Sequence, residues 1–173
     1  EQCRSLGFET FKGFAEEAVT DTHWRESTDL VTSFEVIEHL PEPLTFLSTL
    51  KQMVRPGGLI FLTGLCGDGF DIRILGNRSN AVSPPHHLTF LSQSGVRILL
   101  RRAELELVSF TTPGKLDVDI VRSALLADDD AVTDPDIREI MTSPNEGIRA
   151  DYQARLVADC RSSHMWIMAR RPS

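Results

Sequence analysis

Two short apolar runs, separated by one helical period, stand in the first half of the chain. The runs are residues 30–34 and 59–65. Between them, apolar residues recur at helical spacing and predict a helix with one buried stripe, formed by Leu44, Leu47, Leu50 and Val54. A strand, a helix and a strand in this order predict the repeating unit of a parallel α/β sheet.

The ends of these two predicted strands are where chemistry is expected. Ligands of parallel α/β sheets bind where the strands end, at the carboxyl edge. The residues that fall there are Phe34 and Glu35 after the first strand and residues 64–68 after the second.

The remaining pattern predicts further strands and helices within one domain of residues 1–173. Alternating apolar and polar positions predict strands at residues 8–12, 105–111 and 164–169. Ser92 is expected to cap one helix, and two more are expected to start at Asp134-Pro135 and at a capping box in residues 143–146. Residues 115–161 therefore form a predicted helical insertion, a candidate lid or dimer surface.

Composition excludes some partners. The chain has 173 residues, a net charge of -7 and a pI near 5.2. Nucleic-acid binding needs a clustered basic surface, so we expect a small-molecule substrate and no nucleic-acid partner. No apolar run approaches the ~20 residues that span a bilayer, so no membrane partner is expected.

The three cysteines, Cys3, Cys66 and Cys160, include no Cys-x-x-Cys pair. Reduced thiols in a cytoplasmic protein are the simplest interpretation. No arrangement of His and Cys has the spacing of a metal site.

Two motifs carry a resemblance to a known family. Residues 29–43 contain Glu38-His39-Leu40-Pro41, and residues 55–63 begin Arg-Pro-Gly-Gly. Together they resemble the fourth-to-fifth-strand region of class I S-adenosylmethionine-dependent methyltransferases, most closely the small-molecule branch that includes ubiquinone-biosynthesis and sugar methyltransferases. Residues 84–92 and 112–119 resemble the downstream half of that branch. The resemblance implies a Rossmann-like α/β sheet with a C-terminal antiparallel edge pair.

The resemblance also implies that the sheet is incomplete. Residues 1–6 match the last turns of the helix that follows the second strand in that family. The first two strands and the acidic residue that grips the cofactor ribose would then lie upstream, and no Gly-x-Gly-x-x-Gly occurs in these residues. We therefore expect an N-terminally truncated domain in which S-adenosylmethionine binding is compromised.

The family pattern implies four cofactor-binding residues. Phe14 and Ala15 would flank the adenine, and Phe34 and Glu35 would lie beside the methionine end. The alternative for Phe14 and Ala15 is a hydrophobic plug on a loop.

Three histidines are candidate catalytic residues. Methyl transfer needs a base when the acceptor arrives protonated, and His suits that role at neutral pH. His39 follows the first strand, and His86 and His87 follow Pro84-Pro85. The alternatives are local hydrogen bonding by Glu38 and His39 at a helix start, substrate clamping by His86 or His87, and a core histidine bonded to backbone.

No metal ligand set is predicted. A helix-borne zinc motif supplies two histidines, whereas residues 35–39 supply one. Asp117 and Asp119 lie two apart, so they do not face each other on a helix, and stabilisation of the helix dipole is the expected role.

Two functions compete at this point. The first is methyl transfer to the oxygen, nitrogen or carbon of a small molecule, and the second is a non-catalytic α/β module for protein association. If two strands were missing, the predicted strand at residues 8–12 would lose its neighbouring strand, and the strand at residues 30–34 would have an exposed edge. We expect residues 8–12 to pair there or to be poorly ordered, and we expect a homo-oligomer through that edge or through the helical insertion.

Overall fold

The computed structural model describes residues 1–173 and contains one four-stranded sheet in the order β1-β2-β4-β3. The strands are β1 Thr28–Ser33, β2 Val54–Leu65, β3 Glu106–Thr111 and β4 His164–Arg170. Strand β1 is parallel to β2, and β4 is antiparallel to both β2 and β3. The predicted α/β sheet with a C-terminal antiparallel edge pair is confirmed.

Eight α-helices connect and cover these strands. They are α1 Gln2–Ser5, α2 Ala15–Ala18, α3 Pro43–Met53, α4 Phe70–Leu75, α5 Gln93–Arg102, α6 Asp117–Ala127, α7 Pro135–Thr142 and α8 Glu146–Ala158. Short 3-10 turns occupy Ile37–His39, Gly76–Arg78 and Asp129–Ala131.

Local sequence accounts for the starts of three helices, α3, α5 and α7. Pro43 is the first residue of α3, where a missing backbone N–H costs nothing. The Ser92 hydroxyl accepts a hydrogen bond from the Gly95 backbone N–H at 3.0 Å and caps α5 as predicted. Asp134 caps α7 through the N–H groups of Asp136 and Ile137.

The main core lies on one face of the sheet, under α3 and α5. Its members are apolar and buried, and include Leu47, Leu50, Ile60, Leu62, Val96, Leu100, Met165 and Ile167. The alternation of β2 and β4 places Phe61, Thr63, His164 and Trp166 on the opposite face. That face is partly open, since Leu30, Phe34, Val108 and Trp166 are exposed.

Two predictions about local structure are wrong. Residues 8–12 form no strand, and Phe8 and Phe11 are exposed. An isolated run has no ladder to join, because β1 pairs only with β2. Helix α8 is capped by Asn145, whose side chain accepts from the Gly147 N–H at 2.9 Å, rather than by the predicted Ser143.

The residues of the predicted helical insertion form α6, α7 and α8, and these helices share a core with α4. Buried apolar residues from α4 and the insertion pack together, among them Phe70, Leu75, Val121, Leu125, Met141 and Leu156. On α8, the helical spacing of Ile148, Tyr152 and Leu156 predicts one buried face. Only Leu156 is fully buried, since Ile148 is exposed and Tyr152 is half-buried against Phe70.

Asp117 joins the insertion to the sheet. Its carboxylate is buried and accepts hydrogen bonds from Ser162 Oγ and the Ser163 backbone N–H, both at 2.6 Å, and from Gln153 Nε2 at 2.8 Å. It therefore links the start of α6 to α8 and to the residues before β4. The sequence predicted that Asp117 and Asp119 stabilise the helix dipole, and it did not predict these hydrogen bonds of Asp117. Asp119 is exposed.

No helix in the structure combines the length and apolarity needed to cross a membrane.

The Asp117 network yields a stability prediction. Replacing Asp117 with alanine leaves the Ser162 hydroxyl and the Ser163 N–H without their partner, and we expect a loss of about 3 kcal/mol in the free energy of unfolding. Urea denaturation measures this. Asp119→Ala is the matched control, because it removes the other first-turn carboxylate of α6 and should cost under about 1 kcal/mol. Equal losses in the two variants would contradict the proposed role of the network.

Candidate functional site

The carboxyl edge of the sheet is the end where β1 and β2 finish and β4 begins. Phe34 and Glu35 follow β1 directly, and His164, the first residue of β4, pairs with Leu65 at the end of β2. Residues far apart in sequence thus meet at this edge.

Glu35 is fixed in position by β2. Its φ of 52° lies in the left-handed region, which is uncommon for a residue with a side chain. Its backbone N–H lies 3.2 Å from both the carbonyl oxygen and the hydroxyl of Thr63, and that hydroxyl donates to Glu35 Oε1 at 2.5 Å. These contacts hold the carboxylate at the edge, with 46% of its side chain exposed.

His164 shares this carboxylate. Its Nδ1 lies 3.5 Å from Glu35 Oε1, and its Nε2 lies 3.0 Å from Nε1 of Trp166. The sequence pattern predicted His164 only as the start of a strand. Its register opposite Leu65 is the signal that places it at the site, and this register is not visible in local periodicity.

An aromatic row runs beside Glu35 on the open face. Phe34 is 59% exposed and meets Phe61 edge-on at a centroid distance of 6.0 Å. Phe61 in turn meets Trp166 edge-on at 5.7 Å. A carboxylate next to exposed aromatic rings is a suitable environment for a small organic cation.

The three predicted histidines come together in a second group at the same end of the molecule. His39 Nδ1 lies 2.6 Å from the His86 carbonyl oxygen, and the His39 and His87 rings are 4.8 Å apart. His87 Nδ1 lies 2.6 Å from the Ala81 carbonyl oxygen. Carbonyls only accept, so both rings carry a proton on Nδ1, and in the neutral form of each ring the lone pair is on Nε2. His86 is exposed and offers its carbonyl to this group.

Glu38 lies beneath these histidines. It is 2% exposed, its Oε2 has no hydrogen-bond partner, and its backbone carbonyl accepts from the N–H groups of Leu88 and Thr89. A Cβ at Gly64 would come within 2.9 Å of Oε2, so a larger residue there would displace the Glu38 carboxyl. The expected helix-start bonds of Glu38 and His39 are replaced by bonds to residues 86–89.

Burial gives Glu38 an unusual proton affinity. Loss of solvation raises the pKa of its carboxyl above the ordinary 4.5, and the charge of Glu35 raises the pKa further. The carboxyl's own backbone N–H and the charges of His39 and His87 act in the opposite direction.

A cavity of about 500 Å³ opens between β4 and the insertion. It is bounded by residues 113–117, Ile120, Ser163 and His164. This volume lies within the range of small-molecule sites. A Cβ at Gly114 would overlap Ser162 Oγ, so this wall also requires glycine.

Phe14 and Ala15 take part in none of the side-chain contacts described above. Phe14 precedes α2, is exposed, and has an extended backbone. Helix α2 packs against α3. The structure contains no group of three or more His, Cys, Asp or Glu side chains placed to hold a metal.

The raised pKa of Glu38 yields a pH prediction. A carboxyl whose folded pKa exceeds its unfolded pKa contributes stability below the unfolded value, and this contribution is lost as the pH rises through the folded value. Glutamine does not ionise, so Glu38→Gln keeps its stability as the pH increases from 4.5 to neutrality, while the parent loses part of its stability. The free energy of unfolding of Glu38→Gln should therefore rise relative to that of the parent over this range. Urea denaturation at a series of pH values measures the difference.

The control for removing one carboxylate is Glu42→Gln, since Glu42 is exposed at the start of α3. A difference between Glu38→Gln and the parent that stays constant with pH would contradict the prediction.

Comparisons with known proteins agree on one family. A family model described as "Methyltransferase domain" matches residues 3–110. A ubiquinone biosynthesis O-methyltransferase from Xanthomonas campestris pv. campestris is 33% identical over 87 residues, which cover 47% of this chain and 36% of that protein. The chain thus spans about a third of the length of the first curated relatives it matches.

Solved structures show the same fold at low identity. A SAM dependent methyltransferase from Archaeoglobus fulgidus superposes with a TM-score of 0.51 and 17% identity, over 94% of this chain and 67% of that one. Phosphoethanolamine N-methyltransferase 2 of Haemonchus contortus, solved in complex with S-adenosyl-L-methionine, gives 0.52 and 15%, over 86% of this chain and 34% of that one. Since the family model covers more than half of the sequence, the chain belongs to the class I S-adenosylmethionine-dependent methyltransferases.

Proposed function

We propose that this chain catalyses the transfer of a methyl group from S-adenosylmethionine to a small-molecule acceptor. The observation that carries the proposal is the placement of Phe34 and the fixed Glu35 carboxylate at the carboxyl edge, where Glu35 contacts His164, a residue that lines a cavity of about 500 Å³. When bound, S-adenosylmethionine supplies a methyl group on a sulfonium, and the S–C bonding pair stays with sulfur as the methyl leaves. The alternative of a non-catalytic association module is not favoured by the comparisons.

Phe34 and Glu35 fit the cationic end of this cosubstrate. The sulfonium and the α-ammonium are both positive, and Glu35 offers a carboxylate held by Thr63. Phe34 offers an exposed ring face next to it. Phe14 and Ala15 are proposed to flank the adenine, supported by the exposure of the Phe14 ring. Because no Gly-x-Gly-x-x-Gly loop is present in these residues, binding by the 173 residues is proposed to be weak.

The histidine group at residues 39, 86 and 87 is proposed to act on the acceptor. His39 and His87 each keep an Nε2 lone pair, so either can accept a proton or hold an acceptor hydroxyl. His86 supports His39 through its carbonyl oxygen. The three free cysteines are consistent with a proposed cytoplasmic location.

Binding variants test the cofactor proposal. Phe34→Ala and Glu35→Ala should each raise the dissociation constant of S-adenosylmethionine about tenfold, because each removes an interaction with a positive centre worth about 1 kcal/mol or more. Ligand-observed NMR suits weak binding and gives the constant by titration.

The matched controls lie elsewhere on the same sheet. Val108→Ala removes another exposed apolar side chain, and Glu106→Ala removes a carboxylate at the opposite edge of the sheet. Both should bind like the parent. Unchanged affinity in Phe34→Ala and Glu35→Ala, or no binding by the parent, would contradict the proposed function.

A homo-oligomer through β1 is also proposed. One side of β1 pairs with β2 and the other has no partner strand, while Leu30 is 48% exposed. Such an edge is a template for pairing with a second copy. We expect a dimer by light scattering, converted to monomer by Thr32→Pro, because proline removes a ladder donor.

Two controls separate the candidate surfaces. Val108→Lys changes the other terminal strand and should leave the dimer intact, whereas dissociation by Leu126→Lys would assign the interface to the helical insertion instead. A monomeric parent would contradict both surfaces.

A further inference from the structure

The contacts of His164 fix which of its nitrogens carries the proton. An indole N–H can only donate, so the 3.0 Å contact with Trp166 requires a lone pair on His164 Nε2. A carboxylate can only accept, so the 3.5 Å contact with Glu35 favours the proton on Nδ1. His164 is therefore a neutral imidazole whose basic nitrogen is Nε2.

Glu35 stabilises the tautomer of His164 that carries its proton on Nδ1. The carboxylate is held by the Thr63 hydroxyl and by the backbone contacts of Glu35 with β2, so it cannot turn away without breaking them. A fixed carboxylate behind an imidazole orients the ring and stabilises the imidazolium that forms when Nε2 accepts a proton. Nδ1 of His39 and Nδ1 of His87 each contact a backbone carbonyl oxygen and not a carboxylate. Among the histidines at the carboxyl edge, His164 alone has a carboxylate partner.

His164 also lines the cavity between β4 and the insertion. Its other walls are largely apolar, with Pro113, Leu116 and Ile120 among them. Lys115 lies at the same cavity and takes part in no ion pair. A largely apolar pocket with one nitrogen lone pair, on His164, suits a molecule that combines an apolar body with a single hydrogen-bond donor.

We propose that this cavity receives the methyl acceptor and that His164, oriented by Glu35, takes the proton of an acceptor hydroxyl group in preference to His39 and His87. This inference rests on the proposed methyltransferase function. The proton passes from the hydroxyl oxygen to Nε2 and the electron pair of the O–H bond stays on oxygen, where it forms the new bond to the methyl carbon. The hydroxyl takes the place of the Trp166 indole on Nε2, and Glu35 pairs with the imidazolium. Glu35 is then a positioning residue.

Two small aromatic probes test the cavity without any methyl transfer. p-Cresol and toluene differ by one hydroxyl group, and both can be titrated by NMR. The parent should bind p-cresol about tenfold more tightly than toluene, as expected for one hydrogen bond of about 1.4 kcal/mol to a partly buried acceptor. His164→Phe should bind toluene as before and lose the preference for p-cresol. His23→Phe is the matched control, because His23 also pairs with a glutamate, Glu9, but on the exposed N-terminal segment.

A second measurement keeps the test independent of packing changes. Nitrogen-15 NMR of the imidazole should show His164 protonated on Nδ1 and unprotonated on Nε2 in the parent. Glu35→Ala should shift the proton toward Nε2, and Glu35→Asp should partly restore the parent state. A purely structural histidine would hold its tautomer in all three proteins.

The outcomes separate this inference from the proposed function. A p-cresol preference that His164→Phe abolishes supports the inference. A preference that survives in His164→Phe, no binding of either probe by the parent, or a proton on Nε2 in the parent overturns it. S-adenosylmethionine binding by the parent is measured separately, so its failure counts against the proposed function alone.

Discussion

The pairing of β2 with β4 is the constraint on which the rest of the structure depends. Strand β2 is the one strand with the parallel β1 on one side and an antiparallel strand on the other. The register that sets Leu65 opposite His164 brings the last strand of the chain back to the end where β1 finishes. A slip of one residue would turn His164 and Trp166 toward the core and Met165 and Ile167 away from it. The buried side chains of Met165 and Ile167 thus fix the position of the polar ones.

Local sequence predicts much of this fold because strands and helices follow local periodicity. The apolar runs, the stripe on α3 and the cap at Ser92 are each legible within a dozen residues. Residues 8–12 show where that approach fails, since their alternation is that of a strand but no strand lies beside them. The prediction of the residue that caps α8 was wrong by two positions. Ser143 and Asn145 are both good capping residues, and backbone geometry selects Asn145.

The site was predictable only where its residues follow the strands directly. Phe34, Glu35 and His39 could be placed at the carboxyl edge from their position after β1. His164 and Asp117 could not, because their roles depend on the Leu65–His164 register and on contacts with residues 36 and 45 positions away. Long-range pairing leaves no trace in local periodicity, so chemistry that depends on it appears only in the fold.

Buried acidic groups near this edge differ in their hydrogen bonding. Asp117 has three hydrogen-bond donors around its carboxylate, whereas Asp71, also buried, has an oxygen without a partner. Burial raises the pKa of the Asp71 carboxyl, and the charge of Asp117 adds to this. Burial likewise raises the pKa of the Cys66 thiol to about 11, which keeps it protonated and unreactive at neutral pH.

Glu35 differs from these acids in remaining half exposed, with a strong donor in Thr63 and an imidazole beside it. A carboxylate in this position stays in contact with solvent, unlike the buried carboxyls of Glu38 and Asp71. It can therefore face both a cationic cosubstrate and the imidazolium that a proton acceptor becomes. The net charge of -7 acts in the same direction, since it disfavours anionic polymers but not a small cation. The same carboxylate thus connects the proposed cofactor position with the proposed acceptor cavity.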